Sequence, residues 1–335
     1  MLIKVEQGLP ALNSLRGAWL TLQKETKASP FISYDWCAYQ ASLNSQPPVM
    51  VSAWMADKCV GILPLVVKPL SKRFSLPVLS HLCQRFTDYQ MLLCDSAYPV
   101  ADILGAMHGY IQRSQYQAYP LLLQYPDMAL RDALLNLSGS AACQSWQQTF
   151  FRLQGAPVKA KVAREARRRK RKLEQTGSIE IHTQYGFDEA LINWVLDQSA
   201  ARHGANSLTD AQHREATLSL LAGFKDQLHL ACIKKDGAFL AAHLGFVHDD
   251  YLYYYVPVTS DDERNLSPGI ILLHEIISDM PNLALEAIDF LRGEESYKAD
   301  WGNVFKDTSG VFIHGQYGMN IKKRLLSKMW LSRNS

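Results

Sequence analysis

Two stretches of this chain repeat one plan, and the repetition limits the fold more than any single motif does. SAWMADKCVGILPLVV at 52–67 and LACIKKDGAFLAAHLGFV at 230–247 each read as an apolar strand, a charged turn, a small residue and a second apolar strand. Apolar runs of this length bounded by turn residues suit strands that pack on a core. Lys234-Lys235-Asp236-Gly237 is the better turn of the two, because Asp-Gly accepts the positive φ of a tight hairpin. Each hairpin follows two helical stretches: 11–24 and the segment bearing Trp36 and Tyr39 in the first half, 187–202 and 210–224 in the second. Two copies of one α/β unit are therefore expected.

The length of 335 residues has room for two such units, and 47% hydrophobic with 20% charged residues describes an ordinary globular chain. Further strands are expected at 2–6, 89–94, 120–125, 178–183, 251–258, up to Phe290 and around 311–314. Further helices are expected at 100–113, 128–137 and from Pro268. The first unit is expected over 1–154, a basic linker helix over 155–177 and the second unit over 178–335. None of the six cysteines forms a CxxC or pairs with a histidine at metal-ligand spacing, so no metal site or disulfide framework is expected. The N-terminus has no basic start followed by an apolar run, and no stretch has the roughly 18 apolar residues of a bilayer span. A cytoplasmic location is expected.

The net charge of +3 is unevenly placed: nine basic and two acidic residues lie between Pro157 and Thr176, leaving the rest of the chain near −4. Alanine, arginine, lysine, glutamate and leucine favour a helix there, ending at Gly177. A solvated linker or an anion contact (nucleotide phosphate, RNA or membrane surface) fits such a helix. No aromatic residue interrupts the run, which argues against a platform for single-stranded nucleic acid.

Two segments carry chemistry. In Arg264-Asn265-Leu266-Ser267-Pro268-Gly269-Ile270, Ser267 suits an N-cap, Pro268 the first helical position, and Gly269 a close approach to the backbone. Free N–H groups at a helix start favour phosphate, and Arg264 adds charge. The stretch 288–302 runs from a strand end at Asp289-Phe290 through Arg292-Gly293 into two acids, Tyr297, Lys298 and Trp301. That mixture of charge, ring and glycine suits the rim of a reactive centre.

The element order, with RRRKRKLEQTGSIEIH, LSPGIILLHEII and IDFLRGEESYKADWG, resembles the GNAT acyltransferases, and more narrowly their FemAB-like and CelD-like branch. Asp289-Phe290, Gly293 and Tyr297-Lys298-Ala299-Asp300-Trp301-Gly302 match that branch's Asp-Phe, Gly and aromatic-Lys-x-x-aromatic-Gly pattern. The first half agrees through SPFISYDW, GILPLVV and Asp88-Tyr89. The usual pyrophosphate signature, Arg/Gln-x-x-Gly-x-Gly/Ala, is represented only by Arg264 and Gly269. The resemblance implies two tandem GNAT-like units, each a mixed sheet flanked by helices. It also implies acyl transfer from acyl-CoA to an amine or hydroxyl, with exopolysaccharide or cell-envelope glycan precursors as acceptors. FemAB-type members instead use aminoacyl-tRNA, and a non-catalytic binding module is the remaining alternative.

Within that frame Arg264, Asn265, Ser267 and Gly269 are expected to hold the donor. Lys298 is expected to stabilise charge near the reacting carbonyl, Glu294 or Asp289 to act as base or hold the acceptor, and Tyr254 or Tyr255 to protonate the leaving sulfur. A membrane contact is expected of 321–333, where Ile321, Leu325 and Met329 share a helical face flanked by basic residues.

Overall fold

The computed structural model describes residues 1–70, 76–84, 86–137, 140–155, 158–204, 206, 208–293 and 295–313, and the side chains of all of these except 140–150, 307 and 308. The expected membrane contact at 321–333, the candidate base Glu294 and His314 at the end of the last expected strand lie outside the described residues. The chain divides into two compact units, 1–148 with 307–313 and 149–306.

The first unit contains β1 (Leu2–Gln7), α1 (Leu9–Ser14), α2 (Arg16–Glu25), α3 (Tyr34–Leu43), β2 (Pro48–Met55), β3 (Lys58–Pro69), β4 (Pro77–His81), β5 (Leu93–Cys94), α4 (Val100–Ile111), β6 (Leu121–Leu123) and α5 (Met128–Leu135). β1, β2, β3 and β4 pair antiparallel in sequence order, and β6 lies parallel to β4 through Leu79↔Leu121 and Ser80↔Leu122. Residues 311–313 complete the sheet antiparallel to β6. Val49, Val51 and Ala53 of β2 and Val60 and Leu63 of β3 pack against Ile103, Leu104 and Met107 of α4.

The second unit is built from β7 (Ser140–Gln154, from residue 149), α6 (Ala160–Leu173), β8 (Ile179–Tyr185), α7 (Glu189–His203), α8 (Arg214–Gly223), β9 (Leu228–Lys235), β10 (Ala238–His248), β11 (Tyr251–Thr259), α9 (Pro268–Asp279), β12 (Ala287–Arg292), α10 (Ser296–Trp301) and the first residues of β13 (Val304–Ile313). β8, β9, β10 and β11 run antiparallel in sequence order, β12 lies parallel to β11, and β7 closes the sheet antiparallel to β12. The two units thus share one topology: four antiparallel strands, a helical crossover, a parallel fifth strand and an antiparallel sixth. The expected tandem GNAT-like α/β fold is what forms, each half a mixed sheet flanked by helices.

The basic segment expected as a linker belongs to the second unit. Its α6 buries Ala166 and Leu173 in the core formed by Ile271, Leu272 and Ile276 of α9 and Phe290 of β12. Covering one leucine contributes about 2 kcal/mol, which a solvated linker would forgo. Lys170 Nζ reaches Glu275 Oε2 of α9 at 2.7 Å, and Glu165 pairs with Arg168 and Arg169 one turn on.

Candidate active site

β11 and β12 pair only through Tyr251↔Ala287, Leu252↔Ile288 and Tyr253↔Asp289. Beyond that register β11 stays on β10 as far as Thr259, while β12 continues to Arg292. Parallel strands that part leave a gap whose walls are two strand backbones. Here the gap opens into a cleft of about 320 Å³, lined by Tyr254, Pro257, Val258 and Thr259 of β11, Ser267–Ile270 and Leu273 at the start of α9, and Arg202, Arg264 and Tyr297. Its size lies at the lower end of the range for small-molecule sites.

Tyr254 is buried except toward this cleft. Its ring stacks on His243 at 4.2 Å with 5° between planes and meets Phe290 edge-on. Burial, and then the neighbouring Tyr297, push its phenol well above the usual value, and burial does the same for Tyr297. Neither hydroxyl has a hydrogen-bond partner among the described residues. The sequence left Tyr254 and Tyr255 as alternatives. Successive strand residues face opposite ways, and it is Tyr254 that lines the cleft, while Tyr255 packs toward Phe246 at 5.7 Å.

His243 is held from both sides. Its Nε2 accepts the Tyr255 N–H at 3.2 Å, and its Nδ1 lies 3.3 Å from His229 Nδ1. That pattern sets the tautomers: the His243 proton sits on Nδ1 and is donated to His229, whose own proton sits on Nε2. Burial lowers both basicities, that of His229 to about 4, so the pair is neutral near pH 7. Next to them β10 carries a bulge between Leu244 and Phe246. Gly245 is required there, since a Cβ would lie 2.2 Å from Tyr253 O.

The expected phosphate site is only partly assembled. Pro268 is the first residue of α9, as expected, and the Ile270 and Ile271 N–H groups are taken by Ser267 O. The Gly269 N–H has no backbone partner among the described residues. Ser267 stands at the N-cap but caps nothing with its side chain: its φ is 52°, and its Oγ accepts from Arg169 Nη1 instead. Arg264 is on the rim, largely exposed and, among the described residues, paired only with Asp261 at 3.4 Å, whereas Asn265 is exposed and does not line the cleft. Sequence reading missed Arg202, at the end of α7, whose Nη2 donates to Thr259 Oγ1 at 2.9 Å. It also missed Arg169. Both come from helices distant in sequence, so no local pattern signals them.

Lys298 and Asp289 are not on the cleft wall. Lys298 is buried, and its Nζ donates to Arg292 O at 2.7 Å and pairs with Glu295 Oε2 at 2.8 Å. Burial alone would raise the Glu295 carboxyl; the Lys298 ammonium overrides that and holds it low. Asp289 is buried, bound to Arg152 Nη2 at 2.7 Å and accepting the Leu291 N–H at 2.8 Å. Both residues therefore fasten the turn 289–298, in which Leu291 takes a φ of 59° and Gly293 one of 119°. A non-glycine residue in that region costs about 1–2 kcal/mol, so strain is concentrated where the chain passes the cleft. Tyr297, carried by this turn, is the residue that reaches the cleft.

The equivalent gap in the first unit, where β4 and β6 part, is filled by the chain itself. Gln90 Nε2 donates to Cys83 O at 3.1 Å, and Gln90 Oε1 accepts from the Gln124 and Tyr125 N–H groups at 2.9 and 3.1 Å. The Gln90 N–H reaches Tyr125 O at 2.7 Å. One side chain and its backbone thus bridge the strands that in the second unit leave a cleft.

No group of three or more potential metal ligands occurs among the described residues, and no helix there is long and apolar enough to cross a membrane. No curated protein sequence matches the chain. Its fold is similar to that of FemX, with a TM-score of 0.60 at 10% identity over 97% of this chain and 100% of the other. It is also similar to the C-terminal domain of a putative lysylphosphatidylglycerol synthetase from Agrobacterium fabrum, at 0.59 and 11% over 95% of each. A third likeness is to L-PGS from Bacillus licheniformis, at 0.53 and 10% over 96% of each. Residues 160–299, which include α6 and end within α10, match the family described as acetyltransferase (GNAT) domain. The second unit, from its basic helix to the turn that carries Tyr297, is thus the part of the chain that is similar to a GNAT-type acetyltransferase domain.

Proposed function

We propose that the second unit transfers an acyl group from acyl-CoA to an amine or hydroxyl of a sugar or amine precursor. The observation that carries this reading is the cleft beside the parted strands β11 and β12, lined by two phenols without hydrogen-bond partners among the described residues and running to the Pro268-Gly269 start of α9 with Arg202 and Arg264 on its rim. A diphosphate fits the cationic rim and the Gly269 N–H, and a thioester fits the apolar interior of Pro257, Val258, Ile270 and Leu273. Tyr254 then meets the reacting group. Its phenol is held above its ordinary value, far above that of a thiol, so it donates a hydrogen bond to developing charge while keeping its proton. That role replaces protonation of the leaving sulfur. The described cleft wall holds no carboxylate, and removal of the acceptor's proton is assigned to Glu294 on the strength of the sequence motif alone.

A second reading takes an aminoacyl group, delivered by tRNA, as the cargo. It is favoured by the whole-chain likeness to proteins described as FemX and as a lysylphosphatidylglycerol synthetase. Of the two branches of the sequence resemblance, the FemAB-like one agrees with that likeness. The exopolysaccharide setting implied by the CelD-like branch rests on the sequence motifs alone.

Melting curves with acetyl-CoA, longer acyl-CoAs and aminoacyl-tRNA test both readings. A ligand at 100 times its Kd stabilises the native state by about 2.7 kcal/mol. Acyl-CoA is expected to raise Tm. A rise with aminoacyl-tRNA and none with any acyl-CoA would replace the first reading by the second.

A further inference from the structure

α6 carries a second cationic surface that the cleft does not use. Lys161, Arg164, Arg167, Arg168, Arg171 and Lys172 are all exposed. At 3.6 residues per turn they fall within about 140° of the helix circumference, and no acidic residue lies inside that arc. Glu165 and Glu174 border it on either side, and Glu165 is already neutralised by Arg168 and Arg169. Lys161, Arg164, Arg167, Arg171 and Lys172 make no ion pair among the described residues. Five unpaired like charges on one helix repel one another, which folding alone gives no reason to retain.

The direction of this face decides what fits it. The arc is centred opposite Ala166 and Leu173, the residues that pack α6 against the core of α9. α9 opens the cleft through Ser267–Ile270, so the basic face points away from the element that meets the donor. A polyanion with one end in the cleft would have to wrap around α6 to touch it. A broad anionic plane can lie on it while the cleft stays open. The face also has no aromatic residue on which bases could stack.

We propose that α6 docks the protein on an anionic lipid bilayer, by electrostatic contact without insertion, since the apolar side of the helix is already buried in the protein. The attraction per basic residue near an anionic leaflet corresponds to roughly fivefold in partitioning. Losing three of these charges should therefore weaken binding by roughly 100-fold.

The experiment uses the full chain and vesicles of phosphatidylcholine, with and without 30 mol% phosphatidylglycerol, in a sedimentation assay. The wild type is expected to bind only the phosphatidylglycerol vesicles and to be released by high salt. The triple variant Arg164→Gln, Arg167→Gln, Arg171→Gln is expected to lose roughly 100-fold in partitioning while acyl-CoA still raises its Tm as in the wild type. Absence of wild-type binding overturns the proposal, as does equal binding by the triple variant, which would move the contact to another surface. Binding of duplex RNA or tRNA that the triple variant loses, with no binding to vesicles, assigns the face to nucleic acid. The acyl-CoA shift is read separately, so failure of lipid binding and failure of the donor reading are distinguishable.

Discussion

Tyr254 and Lys298 separate two jobs that adjacent motifs carry. Tyr254 has a hydroxyl without a partner among the described residues, so Tyr254→Phe removes no hydrogen bond that is seen to hold the fold. Its Tm should match the wild type and its KM for the donor should change little. Turnover should fall about 100-fold, the usual effect of losing one donor to developing charge. Unaltered kcat in steady-state assays would remove Tyr254 from the chemistry. Lys298 is the opposite case, since its ammonium is committed to Arg292 O and Glu295. Lys298→Met keeps the packing but loses those bonds, and should lower stability by about 2 kcal/mol. Turnover should fall with it as the turn carrying Tyr297 loosens. Glu295→Gln should lower both in the same direction, and the double variant should show less than the sum. A Lys298→Met protein that is slow but as stable as the wild type, beside a fully active Glu295→Gln, would return the ammonium to the chemical step.

Two elements set the cleft, and each makes its own prediction. At the start of α9 a Cβ on Gly269 would lie 3.0 Å from Thr259 Cγ2, a tight contact on the cleft wall. Gly269→Val should therefore crowd the donor and weaken acyl-CoA binding roughly tenfold to hundredfold, measured by calorimetry on folded protein. The β9–β10 hairpin places His229 and His243 behind Tyr254. An unfolded chain protonates His229 at its ordinary value of 6.5, whereas burial delays this to about 4 in the folded chain. The depressed value means that its contribution is complete above pH 6.5 and is lost as pH falls through 4, amounting to about 3 kcal/mol. His243, also lowered by burial, acts with the same sign. Urea midpoints at pH 7.5, 5.5 and 4.5 should fall steeply in the wild type and less in His229→Gln. Parallel profiles for the two proteins would show that His229 is not the group refusing the proton.

At the scale of the whole molecule, one topology is used twice with different outcomes. The parallel pair β11–β12 parts over a cleft, while β4–β6 parts around Gln90. A duplicated fold with one gap filled should bind one donor per chain. Calorimetric titration with acetyl-CoA is expected to give a stoichiometry of one, and a value of two would mean that the first unit opens as well. The likeness to FemX and the L-PGS proteins extends over nearly the whole chain, so the paired architecture is common to all of them.

The tandem α/β plan was legible because hairpins and amphipathic helices are local. The turn expected at Lys234-Lys235-Asp236-Gly237 forms one residue later, with Lys235 and Ala238 flanking Asp236 and Gly237, both at positive φ. Pro268 likewise opens α9 as its neighbours suggest. Expectation and structure part at β4 and β7, which have no alternation strong enough to read, and at 89–94, where only Leu93–Cys94 is strand. The candidate site was legible as segments, whereas which of their side chains face the cleft was not. Residues 254, 264, 267 and 269 do meet at one cleft, but whether a side chain points there depends on where a strand pair ends, and the pair ends at Tyr253 and Asp289. Lys298 carries the charge that catalysis would use, yet Arg292 O and Glu295 spend it, and Arg169 and Arg202 arrive from helices far away in the chain. Sequence by itself determined the elements and their order, since propensity, turn chemistry and apolar period act over a few residues. Only tertiary structure decided which charges are free and which gap stays open, because both depend on partners that no local pattern names.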